Sequence, residues 1–309
     1  MSGMTEKITI TNDELPALYR AADKASLDAQ NHCLKLFRAE LGFIIIASIS
    51  TSLSVDSTDC KKLLAGIAAG AIILSLSATV ISILWKQDKK WYGGRALAES
   101  IKSLTWRFVT GSEPYLSSLS QQDVESNFSK TLLEMLEQVR DVDTFTTENF
   151  GDEKQITERM RAVRQKTIEV RLAIYVENRV REQRAWYSDK ARINKTSSNN
   201  MFTAIIVIQL AAVLAAIGLI YVPNFPVNLG SILVTVATTL IAWLQMKKHQ
   251  ELSQSYSIAA HELGFIEEQA NHIINEHDFS VFVADAENAI SREHTLWAAR
   301  RDVFTYSKT

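Results

Sequence analysis

The sequence predicts an all-α membrane protein: two transmembrane helical hairpins, four spans in all, with long cytosolic helices forming a helical bundle. Three observations carry that prediction. Residues 63–85 hold no charged side chain and, at 1.5 Å per residue, are long enough to cross a hydrocarbon core of roughly 30 Å. Two further uncharged runs of spanning length, 201–222 and 227–246, are separated only by the turn Pro223-Asn224-Phe225-Pro226. Only 4 prolines and 11 glycines occur in 309 residues, and long stretches are rich in Ala, Leu, Glu, Gln, Arg and Lys, a composition that favours helix.

Residues 1–12 read as a flexible N-terminus. From 13 to 40, Leu18, Ala22, Ala25, Ala29 and Leu34 recur at near-helical spacing, with Asn12 or Asp13 available as a cap. The run 41–55 is apolar but short and rich in Ser and Thr; extended back to Ala39 it makes a marginal span of about 39–55. Across the polar loop 56–62 it reads as the first arm of a hairpin whose second arm is 63–85. Residues 86–108 continue amphipathically, with Trp85, Trp91 and Tyr92 placed for an interfacial aromatic belt. Residues 111–114 break that helix, a further helix covers about 120–139, and 141–152 form a polar linker. A long charged helix then runs over 153–196, in which Ile156, Met160, Val163, Thr167, Val170 and Ile174 make a seam short enough for either a bundle or a coiled coil. The second hairpin, spans 201–222 and 227–246, leads into an amphipathic region to about residue 305. The layout is thus tandem, a module over 13–140 and another over 153–309.

Lys86, Lys89, Lys90, Arg95, Lys190, Arg192, Lys195, Lys247 and Lys248 crowd the outer ends of the spans, whereas the second hairpin loop has no Lys or Arg. The excess of positive charge places both termini in the cytoplasm; Lys61 and Lys62, in the first loop, dissent but are outnumbered. A signal peptide is not expected, because the first apolar run lies behind a polar segment. A net charge of −2 gives no basis for nucleic-acid binding. Cys33 and Cys60 lie on opposite sides of the first apolar run, so neither a disulfide nor a metal site is expected. Phe265 stands where the second histidine of an HExxH pattern beginning at His261-Glu262 would be. Gly93-Gly94 lacks the Lys-Ser/Thr of a phosphate-binding loop, and no nucleophile elbow occurs. No catalytic residue, cofactor or metal is expected, and the chain does not read as an enzyme.

Within the spans, hydroxyls recur on single helical faces: Ser48 and Ser52, then Ser75, Thr79 and Ser82, then Ser231, Thr235 and Thr239. Such faces can line a narrow wet pore once chains assemble, or bond their own helix backbones and glue neighbouring helices. Gly66 and Gly70 form a small-xxx-small step for helix packing, within the hairpin or between subunits, and Gln209 is an amide that wants a partner in another helix. The spans are read as holding no acidic or basic residue, which argues against a proton-coupled pump or a charge-selective ring at membrane depth, and a weakly selective pore stays open. Outside the membrane, Arg95, Glu99 and Lys102 are spaced for intrahelical pairing, with Trp106 beyond them; they read as a gating linker or as a solvated charge pair with a packing anchor. Arg159, Arg161, Arg164, Arg171, Arg179, Arg181 and Arg184, interspersed with Glu158, Glu169, Glu177 and Glu182, read better as a mixed solvated face than as a nucleotide site.

The stretches LPALYRAADKASLDAQ (15–30), RALAESIKSLTWRF (95–108) and GSEPY (111–115) resemble one subtype of the SLATT domains. These are two-transmembrane effector modules associated with bacterial nucleotide-signalling defence systems. RVREQRAWYSDKA (179–191) and SYSIAAHEL (255–263) resemble another subtype, so two modules cover nearly the whole chain. The resemblance implies an effector that forms pores in the bacterial inner membrane and disables the host cell, as in abortive infection. Its implied partners are the lipid bilayer, further copies of the chain and an upstream nucleotide-signalling or sensor protein. The fusion of two modules, with no nucleotide-sensing domain alongside, departs from the common arrangement and leaves the trigger open. The expectation is an oligomeric pore or channel that permeabilises or depolarises the inner membrane in a nucleotide-signalled or phage-triggered defence response. Its alternative is a non-conducting membrane scaffold presenting a cytosolic helical interaction bundle.

Overall fold

The computed structural model describes residues 9–138 and 154–302, with side chains as far as Ser291. The sequence readings for residues 1–8 and for the 141–152 linker lie outside these. Helix α1 covers Ala17–Ser52, α2 Thr58–Trp85, α3 Gln87–Thr110, α4 Gln121–Gln138, α5 Glu158–Arg164 and α6 Ile168–Tyr175. A π-helical segment, Val176–Arg181, leads into α7, Glu182–Tyr221; α8 is Leu229–Lys247, α9 His249–Gln269 and α10 Glu276–Asp302. Among the described residues the one β-type contact is an isolated bridge, Leu53 to Val227.

The chain divides into two compact units, and the division cuts across the tandem order. One comprises Met1–Ala29, Asp88–Lys190 and Ser255–Thr309; the other comprises Gln30–Gln87 and Ala191–Gln254. Each half of the sequence therefore contributes to both.

The first unit is rich in charge and closes around aromatic side chains. Phe108, Tyr115 and Phe128 are buried and meet with ring centroids 4.6–5.9 Å apart. Tyr175 stands edge-on to Trp106, Phe279 and Phe282. Where α1 crosses α3, a Cβ on Gly94 would come within 3.2 Å of the Ala22 carbonyl oxygen, and Ser26 Oγ donates to the Trp91 carbonyl at 2.9 Å. Helix α3 stops at Gly111, whose φ of +70° only glycine adopts cheaply, which bears out the break read from the sequence.

The second unit has the opposite distribution. Ala47, Ala68, Ala71, Ala78, Ala212 and Ala237 are buried, while Ile72, Ile73, Leu76, Leu84, Leu214 and Ile220 are exposed. Small residues inside and large aliphatics outside is the arrangement that suits a lipid solvent, where close helix approach rather than water exclusion drives packing. Among the described residues, three helices are long and apolar enough to cross a membrane: Thr58–Trp85, the one running Ile168–Tyr221 and the one beginning at Leu229. The chain is a membrane protein. The tail of α1 is not among the three, because Lys35, Arg38 and Glu40 precede it and four hydroxyl residues dilute it.

Several sequence readings are corrected. The 153–196 helix is broken at Gln165–Thr167 and passes through a π segment, so the seam from Ile156 to Ile174 is not continuous: Met160 and Val163 are buried, Thr167 and Val170 exposed. The break has a physical use, since Arg171 Nε donates to the Lys166 carbonyl it frees. Residues 86–108 do not continue α2 smoothly, because Lys86 is left-handed at φ 47°, and Lys248 repeats the device at φ 51° between α8 and α9. Trp91 is buried within the charged unit, stacked on Tyr92, rather than in an aromatic belt. The cap of α1 is not Asn12 or Asp13; those residues sit in a separate 3-10 turn, Asn12–Glu14.

Candidate functional site

In the apolar unit the predicted hydroxyl faces are brought together in part. Ser48 Oγ donates to Thr235 Oγ1 at 2.9 Å, joining the first hairpin to the second. Ser52, Ser75 and Thr239 are buried; Thr239 Oγ1 and Thr235 Oγ1 each bond a carbonyl of their own helix. Ser82 is half-buried and Ser231 exposed. Thr79 Oγ1 lies 2.9 Å from Glu40 Oε1 and 3.1 Å from the Ser75 carbonyl, and Ser75 Oγ lies 3.5 Å from the Glu40 carbonyl. Glu40 is the residue sequence reasoning missed. It sits one position before the uncharged run, and its carboxylate reaches Thr79, six residues before the end of α2. The signal was there: the marginal span of 39–55 already included it.

The packing candidates face outwards. A Cβ added at Gly66 or Gly70 would meet nothing within 4 Å, so neither glycine packs within the chain. Gln209 is exposed on α7, and among the described residues its amide has no hydrogen bond. Gly230 is different: it lies against Ala212 and Ala216 at 3.6 Å, bringing α8 close to α7.

In the charged unit, Arg95, Glu99 and Lys102 act on Asp23 of α1, while Trp106 meets Tyr175 of α6. Burial raises the pKa of Asp23, and Glu99 adds to the rise, while burial lowers that of Lys102 with the Arg179 guanidinium adding to it. Lys102 Nζ is 3.4 Å from Asn12 Oδ1 and 5.9 Å from the centre of the Tyr19 ring. Lys102 and Trp106 line a cavity of about 200 Å³ together with Asn12, Asn178 and Glu182. Trp106 is 2% exposed, and among the described residues its indole N–H has no partner.

The arginine series is not a solvated face. Arg179 is 1% exposed and Glu287 likewise: Nε and Nη2 of the arginine meet the two carboxylate oxygens at 2.9 and 2.8 Å. Tyr175 and Ser103 donate to the same carboxylate at 2.9 and 2.6 Å. Helix α3, the α6–π segment and α10 are thereby tied at one point, with Arg179 on the π turn. Arg171, also buried, bonds the Thr110 carbonyl and Glu276, while Arg164 takes the carbonyls of Phe108, Tyr115 and Leu116 at 2.6–2.8 Å. Nearer the surface, Glu125 and Glu267 are held below the usual carboxylate range by hydrogen bonds from Arg161 and from Arg181 and Arg184.

Residues 16–172 match the family model for SMODS and SLOG-associating 2TM effector domain 3, and residues 175–297 match that for domain 1 of the same series. The chain belongs to the SLATT family. It carries two SLATT domains in tandem, and the buried pair Arg179–Glu287 lies in the second while Ser103, which shares its carboxylate, lies in the first. A SLATT domain is a two-transmembrane effector domain, so the chain is a membrane effector by family. No curated protein and no solved structure matches the chain.

Proposed function

We propose that the chain is an oligomeric pore of the bacterial inner membrane, opened from the cytoplasmic side during a nucleotide-signalled or phage-triggered defence response. One observation carries the reading: within the apolar unit, hydroxyls of α1, α2 and α8 and the carboxylate of Glu40 gather among the helices while large aliphatics face out. A polar seam in an aliphatic shell is what a narrow conduction path requires. The tail of α1 serves as the fourth span. Ser54 N donates to the Pro226 carbonyl at 2.7 Å, and Asn228 N to that of Ser52 at 2.9 Å, so both hairpin loops lie at one level.

The positive ends of the spans orient the charged unit to the cytoplasm. Four spans are too few to enclose a path alone, so the conducting form is a homo-oligomer, and the open faces at Gly66, Gly70 and Gln209 serve its contacts. The charged unit takes its signal from an upstream nucleotide-signalling or sensor protein and performs no catalysis. The gating linker Arg95, Glu99, Lys102 and Trp106 leads out of the second span through Lys86, while α1 and α7 enter the apolar unit unbroken.

One observation favours a scaffold instead: Ser48, Thr79, Thr235 and Thr239 already have hydrogen-bond partners, so the seam can be glue alone. Membrane potential separates the readings. With a voltage-sensitive dye, a bacterial host expressing the chain depolarises on induction or on phage infection if the pore reading holds. A host that keeps its potential through both supports the scaffold.

A further inference from the structure

With the tail of α1 taken as the fourth span, Glu40 is an ionisable group at membrane depth, and such a group is expensive unless it has a use. Its depth follows from its partner. Thr79 lies seven residues before Lys86, about 10 Å along the α2 axis, and Thr79 Oγ1 is 2.9 Å from the carboxylate. The carbonyl of Glu40 faces Ser75 Oγ, one turn deeper. The side chain thus rises a single helical turn towards the basic end and stops there, which is the direction in which side chains of α1 lean. Nearby cations do not neutralise it: the Arg38 guanidinium lies over the Trp243 ring at 5.2 Å and Lys247 Nζ over the same ring at 5.8 Å. Among the described residues no basic side chain pairs with Glu40. Thr79 and Ser75 belong to the hydroxyl face of α2, so the carboxylate joins that face rather than standing apart from it.

We propose that Glu40, with Thr79 and Ser75, forms a cation site at the cytoplasmic mouth of the conduction path and makes the pore select monovalent cations over anions. The carboxylate supplies the charge, the two hydroxyls and the Glu40 carbonyl supply neutral oxygens, and assembly repeats the set around the axis as a ring. The inference rests on the pore reading and goes beyond it in naming the permeant class.

The test uses the full-length chain reconstituted in liposomes under a potassium chloride gradient, with the zero-current potential as readout. Wild type holds a potential of the sign set by potassium. In Glu40→Gln, which keeps the shape and the Thr79 contact, the ratio of cation to anion permeability falls by about tenfold, the scale of one charge acting on a nearby ion in a partly wet site. Glu40→Asp retains the preference, and the melting profile of each variant in detergent confirms that it is folded. Conduction with no cation preference in wild type, or with the same preference in Glu40→Gln, overturns the cation site and leaves the pore standing. An absence of conduction in wild type overturns both.

Discussion

Arg179 and Glu287 show how much a single residue type can conceal in a helical sequence. Seven arginines among glutamates along one stretch look like a solvated face, and for Arg181 and Arg184, half in solvent beside Glu267, that description is fair. Arg179 differs because the π turn rotates it inwards onto a carboxylate that Tyr175 and Ser103 also bond. Removing one partner of such a pair leaves a buried charge uncompensated. Arg179→Met or Glu287→Leu alone therefore lowers stability by about 3–5 kcal/mol, while the double substitution recovers most of the loss. Denaturant unfolding of the detergent-solubilised chain measures both, and a double variant no better than the singles would show that the pair is not the source. A fold reading based on period and charge could not find Arg179, since a π turn shifts the register after the pattern is written. Glu287 was no easier to find: Asp285 stands two residues before it in 279–290, and nothing in the spacing says which of the two acids is buried and so demands a partner. Glu40 teaches the same lesson at the membrane edge, where one position decided whether a charge counted as inside.

At the scale of elements, the spans at 63–85, 201–222 and 227–246 were legible because lipid imposes a simple rule on composition. The junctions were not. Lys86 and Lys248 are ordinary surface residues by sequence, yet both take the left-handed conformation just after the second arm of a hairpin. This repetition supports the tandem origin better than any matching of residues between the halves. Helices α1 and α7, which lead into the hairpins, have no such left-handed residue. Replacing either lysine by glycine, which adopts positive φ freely, changes stability by no more than about 1 kcal/mol. Proline, whose φ is fixed near −65°, costs about 3 kcal/mol or more at the same place. Thermal unfolding of Lys86→Gly and Lys86→Pro checks the claim, and equal melting of the two would remove the case for a conformational hinge. The 153–196 helix failed as a reading for a related reason. Gln165–Thr167 contains neither glycine nor proline, and the break there is held by tertiary bonds from Arg171 that no local signal announces.

The whole molecule rearranges what the order of the chain suggests. Two SLATT domains follow one another in sequence, but their hairpins share one unit and their amphipathic helices share the other. The second unit has what one membrane-embedded body needs: aliphatic outer faces, alanine-lined contacts and a polar seam. The hydroxyl periodicity in the spans pointed to that seam; it could not say that Ser48 would meet Thr235 across hairpins, because pairing between distant segments leaves no trace in the spacing of either. The central claim is that this seam conducts. Efflux of potassium from liposomes carrying the purified full-length chain tests it most directly, with Ser75→Ala, Thr79→Val and Ser82→Ala combined as the comparison. These changes keep side-chain volume close to native while drying one face. The account predicts efflux by wild type that the triple variant lowers by about tenfold or more, as a dewetted constriction would. Equal efflux from both, with both inserted, would contradict it.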